Sequence, residues 1–178
     1  MSVGDRDAIQ GRVRTMTRGD LETVLSWRNQ PAIRASMFTQ HEIGMAEHAA
    51  WFERASVDAG KCLLIYEEGA TPLGFVNFSG VAPDATALWG FYTAPDAPRG
   101  TGRRMGRAAL DFVFGTLHVR KVRGEVLDTN EASLRFHRAL HFSDEGVQRA
   151  GQRIKGVDRD VVCFGLTGDD WRAHSGDK

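Results

Sequence analysis

The chain has 178 residues, 42% hydrophobic and 26% charged, which suffices for one domain with a buried core. Its 23 basic residues balance 23 acidic ones, which argues against a general nucleic-acid binder, a class that carries a basic excess. No apolar run approaches the roughly 18 residues of a membrane span, and the polar N-terminus with Asp5 and Arg6 lacks a signal-peptide apolar region, so no membrane partner and a cytoplasmic location are expected.

Residues 12–167 read as a single domain between tails at 1–11 and 168–178. Arg12 to Thr15 reads as a first strand, and Gly19-Asp20 precedes a helical pattern through Leu21, Val24, Leu25 and Trp27-Arg28, punctuated by Pro31. A second helix is predicted over Gly44 to Val57. Cys62 to Tyr66 and Leu73 to Phe78 read as a hairpin turned at Glu67-Glu68-Gly69. Ala85 to Tyr92 is the next strand, ended by Pro95 and Pro98. Met105, Ala108, Ala109, Phe112 and Val113 then form one apolar stripe at i, i+3, i+4, i+7 and i+8, the signature of an amphipathic helix. Val122 to Leu127 is a strand, Asp128-Thr129-Asn130 offers caps to a helix over Ala132 to Leu140, and Phe142 to Gln148 and Arg159 to Leu166 are the last two strands. This order is that of a mixed α/β domain. Cys62 and Cys163 lie in apolar stretches without metal-ligand spacing and read as buried reduced thiols. His41 and His48 share no arrangement with acids that demands a metal.

The local charge is more informative than the total. Arg99, Arg103, Arg104 and Arg107 fall in one stretch with no acid before Asp111. Gly100 and Gly102 allow close backbone approach there, and a helix N-terminus adds unpaired N–H groups and partial positive charge. A nucleotide-triphosphate loop requires Lys-Ser/Thr after its last glycine, and Gly106-Arg107-Ala108 does not supply it. Gly100, Gly102 and Gly106 match a dinucleotide variant with Glu125 as ribose acid, but that motif normally follows the first strand of several βα units. Taken alone, the loop serves equally as a phosphate cradle or as a glycine turn before a core helix with solvated arginines.

Arg99-Gly100-Thr101-Gly102-Arg103-Arg104 resembles the Q/R-x-x-G-x-G/A signature of the GNAT superfamily of acetyl-CoA-dependent N-acetyltransferases, with Arg104 where the final small residue is expected. Asn130, Ser133, His137 and Phe142 resemble the later N-x-x-A/S-x-x-x-Y-x-x-x-G-F signature, with His137 in place of tyrosine and His141 in place of glycine. The resemblance implies an α/β (α+β) fold, with a mixed, mostly antiparallel sheet of about seven strands flanked by about four helices. Trp27-Arg28-Asn29, Ile33-Arg34, Met37, His48, Trp51, Asn77-Phe78, Trp89-Gly90-Phe91-Tyr92 and Glu125-Val126-Leu127 are similar to sugar-nucleotide N-acetyltransferases of the pseudaminic acid pathway, which acetylate a UDP-linked 4-amino-sugar.

By this resemblance, Phe91, Tyr92 and Thr93 supply a strand edge for the pantetheine arm and thioester of acetyl-CoA. Arg99, Gly100, Thr101, Gly102, Arg103 and Arg104 bind the pyrophosphate, Asn130 fixes the pantetheine, and Ser133 and Phe136 line its far side. Glu125 is the expected general base, directly or through water. His137 is the expected proton donor to the thiolate, with Tyr92 in reserve. Arg28, Arg34 and His48 are expected to contact a nucleotide diphosphate, Met37 and Trp51 to pack on its base, and Asn77 to bond the sugar. Each also has a plain structural alternative: a surface carboxylate beside Arg123 for Glu125, a solvated histidine for His137, a surface salt bridge for Arg28, and core packing for Met37 and Trp51. Rival acceptors are a protein N-terminus, as in ribosomal-protein acetyltransferases, or an antibiotic amine. A non-catalytic acyl-CoA binder is the rival from another class. A homodimer is compatible with the sequence and not required by it.

Overall fold

The structure is a computed structural model and describes residues 11–175. One seven-stranded sheet runs in the order β1-β2-β3-β4-β5-β7-β6. The strands are β1 (Gly11–Thr15), β2 (Lys61–Glu68), β3 (Thr71–Ser79), β4 (Thr86–Thr93), β5 (Lys121–Leu127), β6 (Ser143–Ile154) and β7 (Val157–Thr167). Neighbours are antiparallel except β4 and β5, which run parallel. The helices are α1 (Leu21–Arg28), α2 (Pro31–Ala35), α3 (Met45–Val57), α4 (Thr101–Gly115), α5 (Glu131–Ala139) and α6 (Gly168–Ser175). None of them is long and apolar enough to cross a membrane.

The pleat of the strands sorts side chains to two faces. On one, Leu64, Val76, Phe78, Trp89, Val122 and Val126 pack against Met105, Ala109 and Val113 of α4. On the other, Leu63, Ile65 and Phe75 pack against Val24 and Trp27 of α1 and Phe52 of α3. The apolar stripe predicted for the fourth helix is the buried face of α4: Met105, Ala109 and Val113 are fully enclosed.

Several boundaries differ from the sequence reading, each for a physical reason. β2 continues through Glu67 and Glu68 because β1 pairs alongside, and the guanidiniums of Arg12 and Arg14 meet the Glu67 carboxylate at 2.7 and 2.9 Å. The turn falls at Gly69, with φ +60°. Pro31 opens the short helix α2 rather than merely ending the one before it, because proline is tolerated in a first turn. Two helices therefore join the four expected. The second is α6, in the stretch taken as a tail: buried Trp171 docks it, and its indole N–H donates to Asp111 at 2.8 Å. The last two strands are longer than their apolar alternation indicates. Their hairpin closes on Lys155-Gly156, both at positive φ (50° and 78°), the geometry of a type I′ turn. Cys62 and Cys163 are free and only half buried.

Gly106 places α5 against α4. A Cβ there would lie 2.7 Å from Leu140 and 2.9 Å from Phe136. Close helix packing, not a nucleotide motif, accounts for this glycine. Gly106→Val is expected to cost about 1–3 kcal/mol through overpacking, read as a lowered denaturant midpoint at unchanged slope.

Candidate active site

The parallel pair is short. β4 and β5 are in register only from Thr86↔Lys121 to Leu88↔Arg123. β4 stays paired with β3 as far as Gly74↔Thr93, and β5 with β7 as far as Leu127↔Val161. The two strands therefore part after Leu88, and the β4 backbone from Trp89 to Thr93 has no ladder partner on its β5 side. Interior backbone groups require hydrogen-bond partners, so this edge is built to receive a ligand's amides and carbonyl. A cleft of about 390 Å³ opens at the split, lined by Phe91, Tyr92, Thr93, Gly102, Glu125, Asn130, Ser133 and Phe136 together with Ala32, Ile33 and Met37.

One end of this cleft is the start of α4. Gly100 adopts φ +87°, a left-handed conformation that favours glycine. The Thr101 hydroxyl donates to the Pro98 carbonyl at 2.7 Å and is buried, so it stiffens the turn rather than facing a ligand. The N–H groups of Gly102 and Arg103 lie outside the intrahelical ladder, as first-turn donors do. Arg99 and Arg103 are exposed and form no ion pair among the described residues. Arg104 differs: its Nε meets Glu68 Oε1 at 2.6 Å, while its Nη1 and Nη2 donate to the Arg99 carbonyl (3.4 Å) and the Thr101 hydroxyl (3.2 Å). It ties the loop to the end of β2 and is not a phosphate contact in this geometry. The loop is braced by its own side chains and leaves first-turn N–H groups and two exposed arginines free.

The other wall is α5. Asn130 caps it, its Oδ1 accepting from the Ser133 N–H at 3.2 Å, which leaves the Nδ2 donors for the cleft. Phe136 packs on Phe91 at a tilt of 42°, with centroids 4.6 Å apart. His137 is not placed as a proton donor. It is 2% exposed; its Nδ1 donates to the Ser133 carbonyl at 2.8 Å, and its Nε2 accepts from the Trp89 indole at 3.0 Å. Both ring nitrogens are occupied among aromatic rings, and burial holds its pKa down at about 4. His137 is therefore a neutral, fixed pillar under the cleft. At neutral pH it is uncharged in folded and unfolded chains alike. As pH falls from about 6.5 toward about 4, the unfolded chain takes up a proton that the folded one refuses, so stability falls by roughly 2–4 kcal/mol over that window. Urea midpoints measured from pH 7 to 4 test this, and the slope is expected to flatten in His137→Phe.

Register places the remaining groups. Leu88 pairs with Arg123, so Gly90 and Tyr92 share a face with Arg123 and Glu125, opposite the face of Trp89, Gly124 and His137. Glu125 is half-buried, and its Oε1 accepts from Arg123 at 3.2 Å. Tyr92 packs on Phe75 at 5.3 Å, and burial raises its pKa far above the usual phenol range.

A second cleft of about 370 Å³ shares Met37, Gly90, Phe91 and Tyr92 with the first. It gathers Arg28, His48, Trp51 and Asn77, which the sequence singled out, and adds Thr39, Glu47 and Arg54. Arg28 is 9% exposed, and its Nη2 donates to the Thr39 carbonyl at 2.7 Å. Its Nη1 and the Nε2 of buried His48 have no hydrogen-bond partner among the described residues. His48 stacks on Trp51 at 5.2 Å. Gly90 leaves room for Asn77, whose Oδ1 would lie 2.7 Å from a Cβ at that position. Arg34 does not join them. It donates to the Gln40 carbonyl at 3.1 Å and sits 3.9 Å from Glu42, bracing the segment after α2. Asn29 pins the same segment through both its amide groups to the Ile43 backbone. Arg54 and Ala32 carried no sequence signal, because an exposed arginine and an alanine in a five-residue helix look like any surface.

The family model described as acetyltransferase (GNAT) domain matches residues 12–143. Acetyltransferase PseH of Campylobacter jejuni is 23% identical over 124 residues, covering 70% of this chain and 77% of that protein. The SPbeta prophage-derived uncharacterized N-acetyltransferase YokL of Bacillus subtilis is 33% identical over 91 residues, covering 49% of this chain and 51% of its own length. A spermidine N-acetyltransferase from Vibrio cholerae, solved with CoA and spermine, superposes with a TM-score of 0.85 at 20% identity, over 92% of this chain and 98% of that one. The chain belongs to the GNAT acetyltransferases and has their mixed α/β fold; it is an N-acetyltransferase that uses acetyl-CoA.

Proposed function

We propose that the acceptor is the 4-amino group of a UDP-linked amino-dideoxy sugar. The observation that carries this is the second cleft: two buried side chains, Arg28 and His48, present unpartnered nitrogens, and Arg54 adds a further cation against Glu47 alone. Buried polar groups without partners are costly; an anionic ligand such as a nucleotide diphosphate satisfies the Arg28 guanidinium, and a hydroxyl or N–H of the same ligand can partner the ring of His48, which burial keeps neutral. A polyamine, the ligand of the Vibrio structure, is cationic and finds the wrong charge here. The similarity to the Campylobacter relative supports the same reading.

Bound acetyl-CoA supplies the acetyl group as a thioester. We assign the cofactor contacts to the β4 edge at Phe91 to Thr93, the Gly100–Arg103 cradle with Arg99, and Asn130, Ser133 and Phe136. The unpaired backbone N–H groups on β4 would supply hydrogen-bond donors to the carbonyl oxygen of a bound thioester. Glu125 takes the proton from the acceptor ammonium, directly or through water. Tyr92 shares its face and stays protonated through the neutral range because its hydroxyl is buried, so it holds a proton for the departing thiolate. Tyr92→Phe is expected to lower kcat by about 10²-fold with little change in the KM for acetyl-CoA. Wild-type turnover in that variant removes the assignment.

The proposal is tested by acetyl-CoA thiol release against UDP-4-amino-sugars, spermidine, N-terminal peptides and aminoglycosides. The nucleotide sugar should turn over fastest; faster release with spermidine or a peptide overturns this choice of acceptor.

A further inference from the structure

Beside the Gly100–Arg103 loop and away from both clefts, a basic cluster lies against α6. Arg103 and Arg107 lie about one turn apart on α4, about 6 Å along its axis. The Arg107 guanidinium sits 5.9 Å over the Trp171 ring, which brings α6 alongside. Three residues further on α6, His174 stacks on His141 at the end of α5, with centroids 4.1 Å apart and planes within 16°. His141 holds this pose at φ +66°, a backbone region where a non-glycine residue is strained. The His174 Nδ1 donates to the Asp170 carbonyl at 2.7 Å, so its Nε2 faces outward. The nearby charges are otherwise engaged: Asp111 with Trp171, Asp169 with Arg172, Asp170 with Thr167, and Arg138 with Asp144. Arg103 and Arg107 have no ion-pair partner among the described residues.

We propose that Arg107, His141 and His174 form the recognition site for the 3′-phosphate of CoA, entered from the diphosphate cradle through Arg103. This rests on the assignment of the Gly100–Arg103 loop to the pyrophosphate. The 3′-phosphate is a monoester one ribose away from that diphosphate, and the cluster begins one helical turn from the loop. Guanidinium groups match phosphate oxygens with paired donors. Two stacked imidazoles beside two guanidiniums repel one another when protonated, and a phosphate dianion removes that repulsion. In the free protein the His141 pKa lies below its ordinary value because of burial and the neighbouring His174, Arg103 and Arg107. Binding the phosphate therefore takes up protons, and preference for the phosphorylated cofactor weakens as pH rises from 6 to 8.

The test is calorimetric titration with CoA and with 3′-dephospho-CoA, which needs no acceptor. Wild-type protein should bind CoA about tenfold tighter or more, the worth of one or two charge-assisted bonds. The ratio should fall toward one in Arg107→Gln combined with His141→Asn, while 3′-dephospho-CoA binds as before. Asparagine tolerates the left-handed backbone, so His141→Asn alone is a fold-safe second variant, expected to lower the ratio and, with His174→Gln, to flatten its pH dependence. Equal binding of the two compounds by wild-type protein, or an unchanged ratio in the variants, overturns the proposal while leaving the loop assignment intact. Binding of neither compound overturns both.

Discussion

Glu125→Gln is expected to lower kcat by about 10²- to 10⁴-fold and to leave CoA affinity unchanged. The acceptor amine is protonated at neutral pH and attacks only after losing that proton. Glu125 is the carboxylate lining the β4–β5 cleft, on the sheet face that also carries Tyr92, and its hydrogen-bond partner in the described structure is Arg123 at 3.2 Å. Glutamine keeps the shape and the bond from Arg123 but cannot accept the proton. The loss should shrink at high pH, where the free amine forms without help, so a pH–rate profile separates a lost base from a damaged site. A profile parallel to wild type, merely lower at every pH, contradicts the assignment.

Arg28→Gln has the second large expected effect, on acceptor binding rather than on chemistry. Arg28 is buried, with one Nη group committed to Thr39 and the other unpartnered. Glutamine removes the charge and most of the donors. Losing one side of a buried, hydrogen-bonded charge contact costs roughly 2–5 kcal/mol, so the KM for an anionic acceptor should rise by about 10²-fold. CoA titration is the control, because Arg28 does not line the cleft that contains Gly102 and Asn130. Arg28→Lys keeps a charge without the planar fork and should fall between the two. An unchanged KM for the nucleotide sugar places its anionic portion elsewhere.

Where local pattern decides structure, the chain announces it plainly. The stripe from Met105 to Val113 is a helix face, and the short segments read as strands from Cys62 to Leu127 are β2 to β5 of the sheet. Where a partner far along the chain decides, it does not. Arg104 looks like a phosphate ligand beside Arg99 and Arg103 until Glu68, 36 residues earlier, is seen to hold it. His137 looks like a solvated acid until Trp89, 48 residues earlier, caps its Nε2. His141 stands where the resembled signature has glycine; its positive φ is the conformation glycine favours, and its ring stacks on His174. Arg28, Met37, His48, Trp51 and Asn77, singled out in the sequence, converge on one cleft, whereas Arg34 does not line it and donates to the Gln40 carbonyl six residues away.

The acceptor's charge is the central claim, and one competition measures it. The enzyme is given acetyl-CoA with equimolar UDP-4-amino-sugar and spermidine, and the acetylated products are separated by mass. The cationic second cleft predicts that acetyl accumulates on the sugar's 4-amino group, with preference weakening as salt screens the charges. Acetylspermidine as the main product would contradict it.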